Sequence, residues 1–197
     1  DATPTERVDV VSTARMSGLE ELRPRDVAVS AGAGTRVADL LDALADEGVW
    51  VPLGGPALGM SVGGLAAAAP AGPFDESYGD LKRQLLACGL AAWDGESLRW
   101  GRAVMKDVAG YSMVRSVAGS FGRTGVVHRA TFRLWPAPEV LAAPTLAAEG
   151  DPDPLAAAGA LATSDADASV RPDAAVWSWS PDGPADGRLE VRLVGSE

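Results

Sequence analysis

A turn-rich fold that mixes helices with strands is what the sequence predicts, and three observations predict it. Of the 197 residues, 47% are hydrophobic and 22% charged, which is enough apolar material for one or two domains with a core. The 23 glycines and 14 prolines are dispersed among apolar segments, so they mark turns and close backbone approaches. Short runs with the two-residue period of strands flank one run with the period of a helix.

In chain order, Val27 to Ala31 alternates apolar with small residues and stops at Gly32-Ala33-Gly34, as a half-buried strand entering a loop would. Thr35 reads as an N-cap, Val37, Leu40, Leu41 and Leu44 share one helical face, and Gly48 is placed to end that helix in a left-handed turn. Val49 to Pro52 is a short extended piece, Leu53 to Gly64 a loop of small residues, and Leu65 to Ala69 a short alanine-rich helix ended by Pro70 and Pro73. Leu85 to Trp93 and Ser97 to Trp100 form a hairpin through Asp94-Gly95. Val114 to Ala118 is a short helix, and Gly125 to Leu134 a strand stopped by Pro136 and Pro138, where a first domain ends. Residues 142–154 have the composition of a linker. Beyond it, Leu155 to Thr163 is read as a helix, with Ala175 to Trp179 and Leu189 to Leu193 as a hairpin across Asp182-Gly183.

Composition narrows the function. The formal charge is -10 with no dense basic stripe, so nucleic acid is not an expected partner. A single cysteine, Cys88, forms neither a disulfide framework nor a multi-thiolate metal site, and it suits a reducing cytoplasm. No apolar run approaches a bilayer's thickness, so no integral membrane segment is expected. The start at Asp1 suggests a processed or excised segment.

Three segments are candidates for binding. Gly59-Met60-Ser61-Val62-Gly63-Gly64 leads into the alanine-rich helix, where consecutive N–H groups can hold pyrophosphate oxygens; the alternative is a tight turn that packs one element on another. Gly119 to Val127 runs from a glycine loop into a strand and could lie against an adenine or ribose, or again be only a turn. Between them lies Val104 to Tyr111, whose Lys106 faces either a phosphate or solvent.

Together these segments resemble the FAD-binding domain of the vanillyl-alcohol oxidase (PCMH-type) superfamily, and most closely the E subunit of bacterial glycolate oxidase. That family carries a Thr/Ser-Val-Gly-Gly loop, a Val-x-Lys-Asn-Val-Ala-Gly-Tyr-Asp segment and a Gly-Ser-x-Gly-Thr-Leu-Gly-Val-Ile segment before a proline pair. Here Ser61 to Gly64, Val104 to Tyr111 and Gly119 to Val127 precede Pro136 and Pro138 in the same order and spacing. The likeness covers most of Val10 to Pro138, including the strand, turn and helix of Val27 to Pro52.

The resemblance implies an α+β, two-subdomain FAD-binding fold over residues 1–140, lacking its first βαβ unit, which would precede Val10. The start of an α+β cap domain would follow over 141–197, where Arg171-Pro172-Asp173-Ala174 and Gly195-Ser196-Glu197 match the family's cap. It places Gly59, Met60, Ser61, Val62, Gly63 and Gly64 by the pyrophosphate and flavin, and Gly122, Gly125, Val126 and Val127 at the adenosine end. Lys106, Gly110 and Tyr111 would shape the wall between, with Tyr78 and Gly79 from the family's Tyr-Gly pair also at the cofactor.

The implied activity is oxidation of a small 2-hydroxy acid such as glycolate, with hydride passing to the flavin and electrons leaving to flavoprotein and iron–sulfur partner subunits. No catalytic base is identified. Asp107, Ser112, Arg123-Thr124 and Lys82-Arg83 stand where the family has Asn, Asp, Thr-Leu and Arg-Asp. The Lys82-Arg83 and Ser112 departures, with the family segments missing at both ends, support the alternative, a non-catalytic remnant serving in assembly. His128 is read as an edge or surface residue, Cys88 as a buried small hydrophobe, and Trp50, Trp93, Trp100 and Trp135 as core and rim packing.

Overall fold

The computed structural model describes residues 10–102, 113–138, 140–142, 145–147, 170–178 and 188–195. In chain order the elements begin with β1 (Leu19–Arg23), β2 (Ala28–Gly32), α1 (Val37–Ala45), β3 (Val49–Trp50), α2 (Val62–Ala68), α3 (Asp75–Tyr78) and α4 (Leu81–Gln84). Next come β4 (Leu85–Ala91), β5 (Ser97–Gly101), α5 (Val114–Val117), β6 (Val126–Arg133) and β7 (Trp135–Pro136). The last four are β8 (Val140–Ala142), β9 (Thr145–Ala147), β10 (Val170–Ser178) and β11 (Arg188–Gly195). Among the described residues no helix is long and apolar enough to cross a membrane.

An antiparallel sheet in the order β1-β2-β6-β4-β5 carries the first part of the chain. Successive side chains on a strand point to opposite faces, so Val29 and Ala31, Ala130 and Phe132, and Cys88 and Leu90 turn to the same side. There they meet Val37, Leu40 and Leu44 of α1, Val62, Leu65 and Ala66 of α2, and Val114 and Val117 of α5 in one buried cluster. The helical spacing read in the sequence is thus the core face of α1, and Gly48 takes the expected left-handed conformation at φ +65°.

Thr35 does not cap α1. Arg36 holds the cap position with no side-chain bond, while Thr35 Oγ1 accepts from Gly18 N (2.9 Å) and donates to Gly18 O (3.2 Å). The segment from Thr13 to Gly18 is thereby held along the end of β2, where Gly32 N donates to Gly18 O and Gly34 N to Met16 O. A Cβ on Gly32 would stand 2.3 Å from Met16 O, and one on Gly34 2.2 Å from Thr13 O. Backbone approaches backbone here, and only glycine permits it.

Several expectations are corrected. β2 is buried on both faces, not half-buried, because it lies between β1 and β6 and its outer Ser30 hydroxyl bonds the Thr131 hydroxyl at 2.8 Å. β1 has no counterpart in the sequence reading: it is an exposed, charged edge strand with little alternation to reveal it. Within the anticipated loop, residues 55–59 form a 3₁₀ turn and α2 begins at Val62, so the helix includes both glycines. The chain stays extended at Trp135–Pro136, which pairs with Val49–Trp50 in a two-stranded ribbon whose edge tolerates a proline.

The expected hairpin forms as β4 and β5. Its loop is a turn closed by Gly95 N to Ala92 O with Gly95 at φ +88°, the three-residue form whose last position favours glycine. Beyond Pro138, β8 ends at the start of the supposed linker and β9 lies within it; both pair with β11, which pairs with β10 on its other side. Pro172 sits in β10 beside a register shift, where a missing donor is tolerated. The helix expected at 155–163 and the turn at Asp182-Gly183 lie outside the described residues.

Two outcomes follow from this packing. A Cβ at Gly63 would stand 2.7 Å from Ala33 Cβ, whereas one at Gly59 meets nothing within 4 Å. Gly63→Ala should therefore cost ~1–3 kcal/mol in urea denaturation, and Gly59→Ala less than about 0.5 kcal/mol. Burial pushes the Cys88 thiol from an ordinary 9.0 up to about 11. Its thiolate forms first in the unfolded chain, so this residue lowers stability as pH rises from 9.0 towards about 11 and leaves it unchanged below. Alkylation of the native protein at pH 8 should accordingly be much slower than of the urea-unfolded protein, by mass spectrometry.

Candidate functional site

The first glycine loop is built into the junction between β2 and α2. Met60 O accepts from Val37 N at 3.0 Å, and Arg36 and Ser61 form an isolated antiparallel bridge. At the start of α2, Val62 N donates to Thr35 O (2.8 Å), Gly63 N to Ala33 O (2.8 Å) and Gly64 N to the Ser61 side chain (3.2 Å). Leu65 N is already within the helix, bonded to Ser61 O. The N–H groups expected to receive pyrophosphate oxygens are spent inside the protein, and Gly63 is a packing glycine. What the loop leaves open is Gly59, half-buried Met60 and Ser61, and the partly exposed edge of Gly64.

The second glycine loop lies at the other end of the same helix. Phe121 N donates to Ala67 O in the last turn of α2 (2.9 Å), which joins the loop to the helix. α2 has seven residues, so its two ends are about 10 Å apart at the rise of an α-helix. Gly119, Phe121, Gly122 and Gly125 all have positive φ. Gly125 is needed for packing, since a Cβ there would stand 2.6 Å from Ala91 O. Gly122 is different: at φ +79° its nearest neighbour to such an atom is 4.0 Å away, and among the described residues neither its N–H nor that of Thr124 has a partner.

The loop is stiffened by Ser120 and Thr124, whose hydroxyls are 3.2 Å apart, and by Trp93 Nε1, which reaches from the β4–β5 turn to Arg123 O. Phe121 is 73% exposed beside Gly122. Val126 is half-buried, whereas the Val127 side chain is committed to the core and leaves only its backbone near the loop.

Tyr78 and Gly79 belong to an aromatic cluster. The Tyr78 ring meets Trp50 at 5.5 Å and Trp135 at 5.1 Å, and Phe74 meets Trp50 at 5.1 Å, all edge to face. Gln84, 2% exposed, organises the backbone there. Its Nε2 donates to Tyr78 O (2.6 Å) and Gly79 O (3.2 Å), while its Oε1 accepts from Trp135 Nε1 (3.1 Å). A buried amide with these bonds locks both the turn and the indole. The sequence offers no sign of this role, because Gln84 follows two exposed basic residues, Lys82 and Arg83. The Arg133 guanidinium stacks 4.0 Å over Trp135.

Lys106, Gly110 and Tyr111 lie outside the described residues. His128 is not at an edge: it sits on β6, the middle strand of the sheet, with its ring where a Gly89 side chain would be. Cys88 is buried, as read from the sequence. Of the tryptophans, Trp50, Trp100 and Trp135 are half-buried and Trp93 is at the exposed rim.

Residues 2–101 match the model of the FAD binding domain family. Among curated relatives, a D-lactate dehydrogenase of Archaeoglobus fulgidus is 34% identical over 135 residues, 68% of this chain and 30% of that protein. Glycolate oxidase subunit GlcE of Escherichia coli is 31% identical over 123 residues, 61% of this chain and 35% of that protein. The chain thus spans only 30–35% of the length of these two relatives. An alkyldihydroxyacetonephosphate synthase structure shares the fold, with a TM-score of 0.70 at 16% identity over 93% of this chain and 38% of that one. The order of strands, the two glycine loops on α2 and the family match converge: the chain belongs to the FAD-binding domain family and has its PCMH-type α+β fold.

Proposed function

We propose that this chain is the FAD-holding part of an oxidoreductase that oxidises a small 2-hydroxy acid and passes the electrons to a partner. One structural observation carries the cofactor assignment to particular residues: the bond from Phe121 N to Ala67 O sets an open glycine loop at the end of α2. Fit to FAD is unequal at the two ends of that helix. Around Gly122 there is room for a ribose or phosphate, with the Gly122 and Thr124 N–H groups as donors. At the other end, Gly59, Met60, Ser61 and the Gly64 edge would contact the cofactor by surface, without an N–H cradle. The cluster of Tyr78, Trp50 and Trp135 would act as a rigid support for this end, with Tyr78 and Gly79 held by Gln84. FAD, when bound, supplies the two-electron acceptor.

The substrate class rests on the relatives, since lactate and glycolate are both 2-hydroxy acids. That one of them is named as a subunit supports a partner subunit, through which the electrons would leave. We further propose that residues 1–140 serve the cofactor and 141–197 open a substrate-covering domain.

A second reading is a non-catalytic assembly subunit. The spent N–H groups of α2 favour it, as does the placing of His128 behind the sheet and of Cys88 in the core, away from either loop.

Titration with FAD, followed by anaerobic addition of D-lactate or glycolate, separates the readings when run on this chain and on its whole gene product. Retained flavin bands that bleach with a 2-hydroxy acid are the expected result. Retained flavin that neither acid bleaches removes the substrate assignment and keeps the cofactor. No retained flavin in either form overturns the proposal in favour of the assembly subunit.

A further inference from the structure

On the face of the five-stranded sheet turned away from α1 and α2 lies a cavity of about 210 Å³. Strand register creates it. Glu21, Ser30, Thr131, Ala87 and Gly101 stand opposite one another in a single row across all five strands, and the small residues at its centre leave space. In the next row Arg129, Gly89 and Arg99 are cross-strand neighbours, with the His128 ring over Gly89 between the two arginines, which stand about 10 Å apart at two strand spacings. Arg102, just past β5, also lines the cavity.

The cavity gathers more cations than the carboxylates beside them balance. Arg129 is paired on its β1 side with Glu20 (2.9 Å) and Glu21 (3.6 Å), and Glu21 is shared with Arg23. Among the described residues Arg99 and Arg102 have no ion-pair partner, although the whole chain carries a formal charge of -10. Guanidinium groups gathered around a buried floor repel one another, and an anion between them removes that repulsion.

The floor itself calls for an acceptor. Ser30 and Thr131 are 3% and 4% exposed, and their hydroxyls share one hydrogen bond of 2.8 Å. That bond uses one of two hydroxyl hydrogens. The other has no acceptor among the described residues, and both side chains line the cavity. A buried donor without an acceptor is costly.

We propose that this cavity binds a small oxyanion, a carboxylate or a phosphate, between Arg99, Arg102 and Arg129, with the Ser30–Thr131 hydroxyl pair donating from below. The site is across the sheet from the glycine loops, so it stands whether or not the FAD reading does. Two properties suit such a ligand: guanidinium forks match two oxygens at once, and the cavity is too small for a nucleotide.

The test is titration of the intact chain with inorganic phosphate and, separately, with acetate. Ionic strength is held constant with chloride, and the Ser30, Gly89 and Thr131 amides are followed by NMR. A saturable shift at these amides is expected with at least one probe. Phosphate alone would identify a phosphate site, and acetate alone a carboxylate site. In the double variant Arg99→Gln/Arg102→Gln, whose changes are at exposed positions, affinity should fall by about tenfold or more. No saturable shift with either probe, or unchanged affinity in the double variant, overturns the proposal.

Discussion

The close run of backbone on backbone at Gly32-Ala33-Gly34 is the constraint on which the rest depends. On one side the segment from Thr13 to Gly18 lies against these residues, held by Gly32 N, Gly34 N and the Thr35 hydroxyl. On the other, Ala33 O and Thr35 O receive the first N–H groups of α2, and Ala33 N donates to His128 O on β6. Three parts of the chain are joined at one turn without the bulk of a side chain at Gly32, Gly34 or Gly63. Because α2 is fixed there, both glycine loops at its ends are fixed as well.

Division of labour among the glycines follows from this. Gly32, Gly34, Gly63 and Gly125 are occupied in packing, where an added Cβ would fall within 3 Å of a neighbour. Gly59 and Gly122 have open space above them. Residues that look alike in a motif thus have separate duties, some building the junction and others leaving open space. The aromatic cluster around Tyr78 adds a second rigid body, anchored by the buried Gln84 amide.

Much of the fold was legible in the sequence where a pattern is local. Val37, Leu40 and Leu44 repeat at helical spacing, Asp94-Gly95 marks a turn, and the run read as a strand before Trp135 is β6. What escaped depends on pairing with distant residues. β1 is exposed and charged, so nothing in Leu19 to Arg23 shows that it borders β2. The ribbon of Trp50 with Trp135 joins residues 85 positions apart. Thr35 has the chemistry of an N-cap, yet its hydroxyl is taken by Gly18. For the candidate site, motif order located both loops, but which N–H groups are free is decided by Ala33 O, Thr35 O and Ser61, and no motif records that.

Amide hydrogen exchange, with and without FAD, tests most directly the claim that the junction consumes the N–H groups of α2 and leaves those of the second loop for the cofactor. The Val62 and Gly63 amides should be protected in the free chain and unchanged by FAD, while Gly122 and Thr124 exchange rapidly and become protected on its addition. Rapid exchange at Val62 and Gly63 that slows only when FAD is added, with no change at Gly122 and Thr124, would contradict the account.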